Sequence, residues 1–300
     1  MKEVSEDRVG MLAAAIAFYA LLSLFPAIGA VISLWALALD PQEMARQIGE
    51  LSRFVPPGGA RLVNEQAREV GENTDKGLSL TALVSLVVAM FLASKGVRGL
   101  MVGLNVVYGE GEKRGLLKRM LVVAALTLGL VVMSLVATSF VALFPLAVEW
   151  LMLDPGLVTL ITWLRWPALL LMMMFVIAVL YRFGPYRRAP RWQWVSVGTV
   201  IATLLWLVGS AGLSLYVSQF ARMDELYGSL GAVVVLMLWF WLSSFVVLLG
   251  AEINAEMERQ TQRDTTIGED RPMGEREAYA ADTLGPRRHE EHQRQQGERS

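Results

Sequence analysis

The sequence predicts an all-α protein: a polytopic membrane bundle of six transmembrane helices with both termini in the cytoplasm. Three observations lead there. Hydrophobic residues fill 54% of the 300 positions and charged residues 18%, too little polarity to clothe a water-facing surface. Six stretches lack Asp, Glu, Lys and Arg, and crossing a hydrocarbon core takes roughly 20 apolar helical residues. The connections between them carry basic residues alternately in excess and in deficit, which sets orientation.

The stretches are Val9–Leu39, Gly77–Ser94, Met120–Val148, Trp166–Tyr181, Trp192–Ala221 and Leu226–Ala251. The first ends near Ala36-Leu37-Ala38, which resembles a cleavage site. Its apolar run is far longer than the roughly 7–15 residues of a signal peptide, so it reads as a retained span, kinked at Pro26. The fourth, at 16 residues, is the shortest. Trp163 and Leu164 extend it past Arg165, and Pro167 stands where a first helical turn tolerates proline.

Segments 1–8, 95–119 and 182–191 carry 2, 6 and 4 basic residues; segments 40–76, 149–165 and 222–225 carry 5, 1 and 1. The first set belongs in the cytoplasm, decided by Lys113, Arg114, Lys118, Arg119, Arg187, Arg188 and Arg191. The loop Asp40–Lys76 is the one substantial outer piece. Met44, Ile48 and Leu51, then Val63, Ala67 and Val70, recur at helical spacing around Pro56-Pro57-Gly58-Gly59, predicting a short extracytoplasmic helical pair. Residues 1–258 form the membrane domain. Residues 259–300 are polar, mixed in charge and poor in aromatics, and predict a disordered cytoplasmic tail holding both histidines, His289 and His292.

Several function classes find no chemistry here. Net charge is −1, so no global field draws nucleic acid, and basic loops on one side are what topology alone demands. The absence of cysteine removes thiolate catalysis and Cys-ligated metal. No Walker-type phosphate loop occurs. Glu252, Asn254 and Glu256 come nearest to a carboxylate cluster, but alternate positions do not share a helix face. No catalytic residue, metal site or cofactor is therefore assigned, and no buried acid suited to proton coupling stands out.

Six motifs run in order along the chain. They are Ala17-Phe18-Tyr19-Ala20-Leu21-Leu22-Ser23-Leu24-Phe25-Pro26, Ala93-Ser94-Lys95-Gly96-Val97-Arg98-Gly99-Leu100 with Asn105 and Tyr108, and Leu164-Arg165-Trp166. Then follow Leu180-Tyr181-Arg182-Phe183-Gly184-Pro185, Tyr227-Gly228-Ser229-Leu230-Gly231 and Leu248-Leu249-Gly250-Ala251-Glu252-Ile253-Asn254. Over about residues 8–256 the chain resembles the YihY/BrkB family of bacterial inner-membrane proteins, some of which have carried the name ribonuclease BN. The resemblance implies a six-helix inner-membrane protein and supplies no settled activity.

Ionisable residues in or beside spans are functional candidates. On the cytoplasmic side these are Lys95, Arg98, Arg182, Glu252 and Glu256; Lys95 and Arg98 share a face, and Glu252 ends the sixth span where it could pair with either. The competing reading is a salt-bridge and snorkelling layer. On the outer side are Arg165, suited to a lipid phosphate or to anchoring, and Tyr227 with Arg222, Asp224 and Glu225. Hydroxyls recur as Thr199, Thr203, Ser210, Ser214 and Ser218 in the fifth span, Thr127, Ser134 and Thr138 in the third, and Tyr19 and Ser23 in the first. They either line a polar path or let helices approach closely. Trp206, Trp239 and Trp241 fall mid-span, as packing or lipid-facing groups.

The leading functional expectation is a transporter or transport component for lipids or other amphipathic molecules, without its own ATPase. The alternative is a scaffold docking envelope or cytoplasmic partners; a ribonuclease comes third. Membrane lipids, envelope proteins and a second copy of the chain are the partner classes left open, and nucleic acid is not among them.

Overall fold

The computed structural model describes residues 8–38, 78–150, 155–219 and 229–284. Six long helices dominate them: α1 (Val9–Ala38), α2 (Leu78–Val107), α3 (Leu116–Trp150), α4 (Pro155–Phe183), α5 (Trp192–Gln219) and α6 (Ser229–Arg259). All six are long and apolar enough to cross a membrane. A single turn, α7 (Tyr279–Asp282), follows. The only β contact among the described residues is an isolated antiparallel bridge between Pro190 and Thr266.

Removing water obliges each backbone to satisfy itself, and an apolar run meets that demand as a helix. The ends depart from the charge-free stretches for the same reason. Once wound, a helix continues through a few charges whose long stems reach polar surroundings. So α2 runs on through Lys95 and Arg98 to Val107, and α6 through Glu252 and Glu256 to Arg259. The fourth helix is the largest correction. It starts at Pro155, 11 residues before Trp166, so Pro167 lies inside the helix rather than in its first turn. The expected outer helical pair lies outside the described residues.

The helices follow one another round a ring in chain order, with α6 closing against α1 and also touching α2. Their outward faces carry large exposed apolar groups, among them Leu83, Val87 and Phe91 on α2, Leu117 and Leu121 on α3, and Trp163 and Leu164 on α4. Patches of that extent on a soluble surface would drive association; in a bilayer they face their own solvent.

Tight packing is concentrated on α1, α2, α6 and the adjoining parts of α4 and α5. Leu104, Leu248 and Ala202 are fully buried there. At the α5–α6 crossing, a Cβ on Gly250 would stand 2.7 Å from the Gly198 carbonyl oxygen and 2.5 Å from the Tyr181 hydroxyl. Close approach is thus available only to glycine. Asn254 stitches the crossing by accepting from the Gly198 N–H at 2.8 Å, and Tyr181 donates to the Val247 carbonyl at 2.6 Å. The mid-span tryptophans serve packing: Trp206 donates to Ser243 Oγ and Trp241 to the Gly10 carbonyl. By contrast α3 contributes only Leu126 and Thr127 to the buried set among the described residues.

Candidate functional site

The described polar groups gather at one end of the ring, where α2, α4 and α6 finish and α3 and α5 begin. Two turns and the segment after α6 meet there. Asn105, in the last turn of α2, is 5% exposed. Its Oδ1 accepts from the Tyr186 N–H at 2.7 Å, and its Nδ2 donates to Glu112 at 3.3 Å, tying the α2–α3 connection to the α4–α5 connection. Arg114 donates to the carbonyls of Gly184 at 3.1 Å and Pro185 at 2.6 Å, while Arg182 donates to the Pro190 carbonyl at 2.6 Å. Asn105, Arg114 and Arg182 thus pin the loop 184–191 through its backbone.

Arg187 turns inward from that loop. It pairs with Glu258 at 2.6 Å, and both side chains are essentially without solvent exposure. Its guanidinium lies 4.8 Å from the Tyr108 ring centre. Thr265 Oγ1 gives Glu258 a second donor at 2.9 Å. Burial by itself would lower the Arg187 pKa, but the Glu258 carboxylate and neighbouring groups outweigh it and hold the guanidinium firmly charged. Burial pushes the Tyr108 hydroxyl up, out of any physiological titration.

Residues 260–284 fold back over this end, correcting the expectation of a disordered tail from 259 for that stretch. Polar composition alone implied too little burial; backbone pairing and charge-assisted bonds supply the order instead. Ile267 N–H donates to Ala189 O at 3.0 Å, Arg191 N–H to Thr265 O at 2.8 Å and Arg188 N–H to Glu277 O at 3.0 Å. Arg276, 4% exposed, donates to the carbonyls of Gln262, Arg263, Arg271 and Ala281. Asp264 accepts from the N–H groups of Thr266 and Arg271 and from the Thr266 hydroxyl. Burial would raise its pKa, but those donors hold it below the ordinary carboxylate value. Gly109, at φ +68°, meets Tyr279 so closely that a Cβ would clash with the ring, so glycine is required twice over. Glu110 accepts from the Tyr279 N–H at 2.7 Å, and burial nevertheless pushes its carboxyl up.

Among the sequence candidates, Asn105 and Arg182 belong to this network. Glu252 is 6% exposed and Glu258 1%, so two acids lie buried at this end. Neither Lys95 nor Arg98 pairs with Glu252. Lys95 sits 4.7 Å from the Phe91 ring centre, and Arg98 is exposed on α2. Glu256 instead pairs with Arg259 one turn on, at 2.7 Å. Arg165 lies inside α4, 5.2 Å from the Trp166 ring centre, rather than at a span boundary.

Several of the described hydroxyls bond carbonyls of their own helix: Thr203 that of Thr199, Thr127 that of Val123 and Ser23 that of Ala20. Ser210 Oγ is buried without a hydrogen-bond partner, and Ser214 is exposed. Tyr19 is half-buried, its ring 5.5 Å from that of Phe18 in an edge contact. Ser218 falls in the last turn of α5, and Tyr227, Arg222, Asp224 and Glu225 lie outside the described residues, as do both histidines. No group of three or more His, Asp or Glu able to hold a metal occurs among the described residues.

Two openings among the described residues adjoin the network, and one of them, of about 560 Å³, is polar and lined by Arg191, Asp264, Asp270, Arg271 and Arg276. Between α3 and α4 lies a groove of about 490 Å³, walled by Val122, Ala125, Leu126 and Val179, with Arg114, Lys118, Arg182 and Arg187 among its lining residues. Sequence reading missed the groove, using Lys118 and Arg187 only as orientation charges. It also passed over Glu258, Asp264 and Arg276, whose partners are distant in sequence.

Six apolar helices with lipid-facing side chains and a polar cap at one end define a multi-pass membrane protein. The chain belongs to the family described as virulence factor BrkB, whose model matches residues 1–274. That match reaches past residue 256 into the folded-back segment. Relatives include the ribonuclease-like protein YfkH of Bacillus subtilis, 30% identical over 82% of this chain and 89% of its own length. The UPF0761 membrane protein VP0125 of Vibrio parahaemolyticus is 29% identical over 87% of this chain and 81% of its own. A UPF0761 membrane protein of Vibrio cholerae is 29% identical over 88% of each chain. No solved structure matches.

Proposed function

We propose that this chain is a transporter or transport component for lipids or other amphipathic molecules in a bacterial inner membrane, with both termini cytoplasmic and no ATPase of its own. The observation that carries the reading is the groove between α3 and α4. Its walls are apolar, and Lys118 and Arg182 stand over them. Among the described residues α3 contributes little buried apolar surface, so the groove beside it lies open to the bilayer side of the ring. An amphipathic molecule needs such a combination, hydrocarbon along one side and charge at one end. The test is leaflet equilibration of a fluorescent phospholipid in vesicles holding the purified protein. Equilibration faster than in empty vesicles is expected. A rate equal to empty vesicles would count decisively against a passive conduit.

A scaffold is the second reading, favoured by the folded surface that 260–284 builds. Its test is Glu269→Lys combined with Glu275→Lys, both exposed on that surface, since deletion from 260 also strips the cover from the loop 184–191. Loss of partner capture with leaflet equilibration intact would favour the scaffold. We further propose that the chain is not an enzyme, despite the ribonuclease-like name of one relative. Detergent-pure protein should leave RNA uncut. Cleavage abolished by Glu252→Ala or Glu256→Ala would overturn that.

A further inference from the structure

We propose that the α3–α4 groove is a binding site for an anionic glycerophospholipid, with its phosphate held by Lys118 and Arg182 and an acyl chain along Val122, Ala125 and Val179. The inference rests on the lipid-handling reading and adds a headgroup class and a place. The charges at the groove decide it. Arg187 is neutralised by Glu258, and Arg114 by Glu112 at 3.3 Å. Lys118 and Arg182 have no carboxylate partner among the described residues. Lys118 is exposed and Arg182 half-buried.

Arg182 is already oriented. It donates one Nη1–H to the Pro190 carbonyl, and its guanidinium lies 4.6 Å from the Trp192 ring centre. Its Nε is buried with no hydrogen-bond partner. A planar cation held by an aromatic face and a carbonyl, with donor capacity left, suits a phosphate. Lys118 adds a mobile point charge in the first turn of α3. The apolar walls adjoin Leu117 and Leu121, which are exposed on the outside of the same helix. A lipid can therefore enter sideways from its own leaflet without leaving hydrocarbon. A zwitterionic headgroup brings its own cation against Lys118 and gains less.

The experiment measures lipid retained by the full-length protein after extraction from vesicles of phosphatidylcholine mixed with phosphatidylglycerol, using native mass spectrometry. Phosphatidylglycerol should be retained in preference to phosphatidylcholine. Lys118→Ala should weaken that retention about fivefold, the weight of one basic residue near an anionic surface. Ala125→Trp should fill the groove and abolish it. Both positions are exposed, so neither change disturbs the core. Lys113→Ala, the same charge change outside the groove lining, should leave retention unchanged.

Equal retention of the two lipids overturns the proposal. So does equal retention by Lys118→Ala, Ala125→Trp and Lys113→Ala. Soluble glycerol 3-phosphate binding as tightly as phosphatidylglycerol also overturns it, since the occupant would then be a water-borne phosphate. Headgroup-selective retention without leaflet equilibration supports the site and sinks transport. Equilibration with non-selective retention sinks the site and leaves transport standing.

Discussion

Arg187 and Glu258 show how a single pair organises one end of the molecule. Both side chains are out of water, joined at 2.6 Å, with Thr265 completing the carboxylate and Tyr108 lying against the guanidinium. Burying two charges gains little over burying two apolar groups, but removing one leaves the other stranded. Arg187→Ala or Glu258→Ala should therefore destabilise the protein by about 3–5 kcal/mol, whereas the double change to methionine should cost much less. Thermal unfolding in detergent measures both. Equal losses in single and double variants would mean that the pair is not what holds this region. In the sequence Arg187 is one of several orienting charges and Glu258 marks the end of a domain. Their partnership, 71 residues apart, has no periodic signature.

Among elements, the segment after α6 departs most from expectation. Polar composition forecasts disorder over 259–300, yet 260–284 is ordered by hydrogen bonds to the α4–α5 connection and by Asp264 and Arg276 within itself. Composition measures what apolar burial can supply and is blind to backbone donors waiting on another loop. The Asp264 carboxyl is held below its unfolded value, so its contribution is full above the ordinary carboxylate range, about 3.9. That contribution is lost as pH falls through the lowered value. Protection from amide exchange over 260–284, taken relative to the intrinsic rate at each pH, should thus fall at acid pH before that of α2 or α6. Asp264→Asn should exchange fast already at neutral pH and lose the acid dependence. An unchanged profile in that variant would remove Asp264 as the organiser.

The spans show a related limit. Charge-free runs locate all six helices, but their ends miss because a wound helix carries Lys95, Arg98, Arg165 and Glu252 inside itself. The Gly198–Gly250 approach was equally hidden, since each glycine only gains meaning opposite the other.

For the molecule as a whole, orientation can be tested directly because the chain has no cysteine. Gly111 is in open space and Glu275 is exposed, both at the basic end. Gly111→Cys and Glu275→Cys should react in intact cells with a membrane-permeant thiol reagent and resist an impermeant one. Labelling by the impermeant reagent would reverse the proposed topology. Lysine and arginine resist translocation, so loop charge reports orientation without any knowledge of packing.

Apolar excess and six uncharged runs determine by themselves that this is a six-helix membrane protein, because hydrocarbon leaves the backbone few other solutions. Motif order likewise marks the family. Only tertiary structure decided that Arg114 and Arg182 bind loop carbonyls and Asn105 a loop N–H, that α3 and α4 leave a basic-mouthed groove, and that a polar tail folds. Those outcomes depend on donors and acceptors brought together from separate helices, and no local period along the chain records such meetings.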